Sequence, residues 1–148
     1  MRSAFLIGLV GGQRALTPLA AVAVAAWRRR LPADSGAPAL LGHPVVAAGA
    51  LALAAAEIAG DKMKSAPDRI VPIGLATRFV TSAIAGAALS PRRDRLAAGA
   101  IAGVTAVAAS FAGWTARVSA MERYGQTATG FVEDAAVVAA AGAIADRA

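Results

Sequence analysis

The sequence predicts an all-α, polytopic membrane helix bundle of four or five Ala/Gly-rich transmembrane spans, with a first helix interrupted by Gly and Pro. Three observations predict it. Of 148 residues, 57% are hydrophobic and 16% charged, with a mean hydropathy of +0.59, a balance outside the usual range of soluble domains. The apolar residues fall into runs of spanning or near-spanning length. Basic residues gather between those runs, as Arg28-Arg29-Arg30 and Arg92-Arg93-Asp94-Arg95, where such clusters set topology and meet anionic headgroups.

The first run, about 5–27, ends in Trp27 ahead of the arginine triplet. Its centre is Gly11-Gly12-Gln13-Arg14-Ala15-Leu16-Thr17-Pro18. Nine strongly apolar residues favour insertion by ~0.3 to 0.6 kcal/mol each, and a central Arg opposes it by ~2.5 to 3.5 kcal/mol. Arg14 must therefore face protein or water rather than lipid. The same interruption, followed by three arginines that resist translocation, argues for a retained helix over a cleaved signal peptide.

A Gly/Pro-rich loop at 31–44 precedes the second run, 45–60, which ends in Glu57 and Asp61. Their spacing of four places both carboxylates on one helix face. The third run, 70–89, starts with Pro72 in its first turn and carries Arg78 in its first half, with Ser82, Gly86 and Ser90 forming a small-residue row for helix packing. The fourth, 96–116, is free of charge and holds Gly99 and Gly103 as a GxxxG. The stretch 117–129 reads as a connection. The fifth run, 130–145, opens with Glu133 and Asp134, where carboxylates favour the positive end of the helix dipole.

The net charge of +6 does not indicate nucleic acid, because no basic face with interleaved aromatics is present. The chain has no cysteine, which excludes disulfides and thiolate chemistry. No GxSxG, HExxH or P-loop occurs, and the single histidine, His43, lies in the Gly/Pro loop. No enzyme activity, metal or cofactor is expected.

This order of motifs resembles a family of small bacterial membrane proteins designated domain of unknown function 4126. The resemblance rests on the Gly-x-Arg-x-x-x-Pro element ending at Pro18; on Glu57 and Asp61 followed by Pro67-Asp68-Arg69; on Arg78 in a Gly- and Ala-rich helix; and on Glu133-Asp134-Ala135. It covers nearly the whole chain and implies a polytopic membrane protein of unestablished activity.

Intramembrane charges pair or face a water-filled cavity, so Arg14 and Arg78 are the natural partners of Glu57, Asp61, Glu133 or Asp134. The first expectation is a structural or scaffolding ion-pair network that fixes helix register. The alternative is a transporter or channel for a small ionic solute, an anion in particular. In it Gly11, Gly12 and Pro18 break the helix and Gln13, Arg14 and Thr17 line the site, as in discontinuous transporter helices. The partners expected are the lipid bilayer of the bacterial inner membrane, further copies of the chain, and in the alternative a small solute.

Overall fold

The computed structural model describes residues 1–60 and 70–147. It is all-helical: α1 (Arg2–Gln13), α2 (Thr17–Trp27), α3 (Pro44–Gly60), α4 (Pro72–Ala88), α5 (Arg95–Tyr124) and α6 (Gln126–Ala145), with short 3-10 turns at Ala39–Gly42 and Arg92–Asp94. Among the described residues no strand forms, only an isolated bridge between Ser35 and Pro91. Proline opens three of these helices, at Pro18, Pro44 and Pro72. In the first turn its missing N–H costs no helical bond and its fixed φ suits the helix.

The core is α1, α4 and α5, and glycine sets how closely they approach. A Cβ on Gly12 would lie 2.5 Å from Ala109 Cβ, and one on Gly86 2.5 Å from Ala102 Cβ. Gly99 faces the Ala83 carbonyl, and Gly103 faces the Phe79 ring. Ser82 is fully buried against Gly11. Between such surfaces the core is largely alanine, so dispersion across short interhelical distances replaces the large apolar side chains of a soluble core.

The expected first span is in fact two helices that reverse direction. Gly8 lies at Ala102, Gly12 at Ala106 and Ala109, and Gln13 at Gly113, so α1 runs parallel to α5. Arg14 is extended, with φ −138° and ψ 120°, and ends α1. α2 then returns: its far end reaches the loop in which Ser35 binds the Ala88 carbonyl and Arg92 N–H binds Asp34 O, at 2.6 and 2.8 Å. Both ends of this hairpin thus sit where α5 begins, and its tip, residues 14–16, lies inside the bundle. A kinked single span cannot place Ser3 and Arg30 at one end; a helical hairpin does.

Two further boundaries differ from expectation. The stretch 117–129 is not a loop: α5 continues to Tyr124 and α6 starts at Gln126. Residues 117–124 include good helix formers such as Met121, Glu122 and Arg123, and Gly125, at φ +81°, supplies the positive φ that the abrupt turn requires. Glu133 and Asp134 consequently lie two turns into α6, not in its first turn, so the helix dipole no longer accounts for them.

Candidate functional site: a buried polar hairpin tip

The α1–α2 reversal carries polar groups into the interior, and side chains of α3, α4 and α6 meet several of them. Arg14, 1% exposed, donates from Nε and Nη2 to Asp134 Oδ1 of α6 at 2.8 and 2.5 Å. The Glu57 carboxylate of α3 accepts from the Ala15 and Leu16 N–H groups at 2.7 and 2.8 Å. These donors immediately precede α2, whose N-cap is Leu16, so Glu57 lies beside the positive end of that helix as a fixed internal anion. Thr81 of α4 donates its hydroxyl to the Ala15 carbonyl at 2.6 Å.

Around this centre, Gln13 donates to the Ala109 carbonyl at 3.3 Å. Glu133, beside Asp134 but turned toward α5, pairs with Arg117 at 3.0 Å, both side chains mostly buried. Adjacent carboxylates on α6 therefore bind two different arginines, one at the hairpin tip and one on α5. Arg78 is buried on α4, one turn from Thr81. Thr17 and Pro18 are buried at the start of α2. Asp61 and the Pro67-Asp68-Arg69 element lie outside the described residues.

The structure thus brings together Gln13, Arg14, Glu57 and Asp134, with Glu133 alongside. Ser82, Gly86, Gly99 and Gly103 stand apart from the tip, at helix contacts. Thr81 and Arg117 were not anticipated. Thr81 is legible as the hydroxyl three residues after Arg78 on one helix face, whereas nothing in the sequence separates Arg117 from an ordinary flanking charge.

Two cavities approach the tip. One, about 610 Å³, lies between α5 and α6 and is lined by Gln13, Gly113, Arg117 and Glu133 together with alanines and Val132. The other, about 330 Å³, runs along α2 from Thr17 to Arg28 between α3 and α6. Among the described residues no group of three or more His, Asp or Glu is placed to hold a metal ion.

The fold and site define a helical bundle with a charged, internally paired hairpin tip. Two segments, 92–124 and Thr127–Ala145, are long and apolar enough to cross a membrane. Comparison with protein-family models, curated proteins and solved structures finds no match.

Proposed function

We propose that this chain is a multi-pass protein of the bacterial inner membrane, in which α5 and α6 span the bilayer and, with α3 and α4, enclose α1–α2 as a re-entrant hairpin. Its Arg/carboxylate cluster is a structural network that locks the hairpin and gives a scaffold of fixed helix register. The outward faces support the membrane assignment: Ile73 on α4 is 76% exposed and Leu96 on α5 81% exposed, with Leu53, Val104 and Phe131 also outward. Large apolar residues outside and alanine, glycine and arginine inside suit lipid as the solvent. Charge supports the orientation. Arg2, Arg28 to Arg30, Arg92, Arg93, Arg95 and Arg147 belong to the end where α5 begins, against Arg117 and Arg123 at the other and Lys62, Lys64 and Arg69 in the α3–α4 connection. The excess makes the first end cytoplasmic, with the N-terminus there.

The observation that carries the structural role is the internal satisfaction of the tip. Backbone that departs from a helix at membrane depth persists only where protein or a water-filled cavity meets its polar groups, and here Glu57 and Thr81 bind the backbone of Ala15 and Leu16 while Asp134 binds the Arg14 side chain. Glu57 already lies as an anion beside the N-terminus of α2, where a half-helix would hold a solute. Proteoliposomes should therefore show no uptake above empty vesicles across a panel of inorganic and carboxylate anions. Uptake abolished by Arg14→Lys would overturn the structural role in favour of transport. One observation favours that second reading: the 610 Å³ cavity reaches Gln13, the neighbour of Arg14.

A further inference from the structure

The groove along α2 has dimensions that select an occupant. It is floored by α2, walled by Leu51 and Ile58 of α3 and by Val138 and Gly142 of α6, and ends at Thr17 and Arg28. Those two ends are eleven residues apart on one helix, so at 1.5 Å per residue the groove is about 16 Å long. Half of a hydrocarbon core of ~30 Å is about 15 Å. The groove therefore has the length of one leaflet. Its volume of about 330 Å³ over that length makes a narrow slot, in which a polymethylene chain, one carbon wide with neighbours at ~4 Å, can lie along α2.

Charge distinguishes the two ends. Arg28 at the mouth is exposed, as are Arg29 and Arg30 beside it. The carboxylate at the mouth, Asp146, is paired with Arg30 at 2.8 Å. The interior is almost wholly apolar.

We propose that this groove holds one acyl chain of an anionic phospholipid from the cytoplasmic leaflet, with its phosphate at Arg28. The assignment rests on the membrane reading above. One chain in the groove ties α3, which otherwise packs mainly on α2, to α6, and makes a lipid part of the folded bundle.

The test uses the full chain reconstituted in vesicles of phosphatidylcholine and phosphatidylglycerol, washed at alkaline pH, extracted in mild detergent and weighed by native mass spectrometry. One retained phosphatidylglycerol is expected, preferred about fivefold over phosphatidylcholine, the ratio set by ~1 kcal/mol for one arginine near the surface. Gly142→Phe should lose that lipid with unchanged helical circular dichroism, because a Cβ there meets nothing within 4 Å and the ring enters the groove. Arg28→Gln should retain a lipid but lose the preference. Undiminished lipid on Gly142→Phe, or none on the unsubstituted protein, would overturn the assignment. So would a dimer that Gly142→Phe dissociates while leaving lipid unchanged, which would give the groove to a second copy. If the alkaline wash strips the chain from the vesicles, the membrane reading itself falls, and the groove assignment with it.

Discussion

Arg14 and Asp134, 120 positions apart, meet in the interior with two guanidinium nitrogens on one carboxylate oxygen. The pair joins the tip of the α1–α2 hairpin to α6, a helix that otherwise makes few close approaches to the bundle. Removing one member leaves a buried charge without its partner, at a cost of ~3 to 5 kcal/mol. Arg14→Met and Asp134→Leu should each lower the unfolding free energy in detergent by about that much. The double substitution should recover most of the loss, since an apolar pair of similar volume needs no desolvation. Equal losses in single and double variants would contradict the pairing.

Glu57 supplies both acceptors for the two residues that lead into α2, Ala15 and Leu16. Glu57→Leu should cost ~1.5 to 3 kcal/mol for each charge-assisted bond lost, with the damage local. Amide exchange should accelerate at Ala15 and Leu16 and stay unchanged at the centre of α5. Uniform acceleration throughout the chain would mean that Glu57 supports the whole fold and not the tip.

These two relationships show how far the sequence reaches. The helical class, the apolar runs and the importance of Arg14 follow from composition and from the cost of an arginine among apolar residues. The reversal at residues 14–16 does not. A Gly/Pro interruption within a run of spanning length is equally compatible with a kink and with a hairpin, and only contacts remote in sequence, Gly8 with Ala102 and Ser35 with Ala88, separate the two. In the sequence an arginine inside an apolar run requires a carboxylate, and Glu57, Asp61, Glu133 and Asp134 are the candidates. Choosing Asp134 over Glu133 depends on which face of α6 meets the tip, and that depended on α6 beginning four residues before the apolar run.

Glycine positions should divide by their surroundings. Gly12→Ala places a Cβ 2.8 Å from the Ala106 carbonyl oxygen, which helix backbone cannot yield without separation of α1 from α5, and a loss of ~1 to 3 kcal/mol is expected. Gly49→Ala, with nothing within 4 Å, should raise stability by ~0.5 to 1 kcal/mol through reduced backbone entropy. Thermal midpoints in one detergent suffice for the comparison. A loss at Gly49 as large as that at Gly12 would show that α3 packs against something absent from the single chain.

Arg29 closes α2 with φ +55°, and the N–H groups of Arg29 and Arg30 bind the carbonyls of Ala26 and Ala25. This is the helix ending that glycine serves best, because a Cβ in the left-handed region costs roughly 1 to 2 kcal/mol. Arg29→Gly should raise the thermal midpoint, and Arg29→Val should lower it. A decrease with glycine would assign Arg29 a stabilising contact that outweighs its strain.

The proposed re-entrant placement of the hairpin is tested most directly by cysteine accessibility, for which a chain without cysteine provides a clean background. Ser3→Cys before the hairpin, Ala33→Cys after it and Tyr124→Cys at the far end of α5 are introduced singly and probed in sealed inner-membrane vesicles with an impermeant maleimide. Ser3 and Ala33 should label from the same side and Tyr124 from the opposite side. Labelling of Ser3 and Ala33 from opposite sides would mean that residues 5–27 form one continuous span, and would contradict the hairpin.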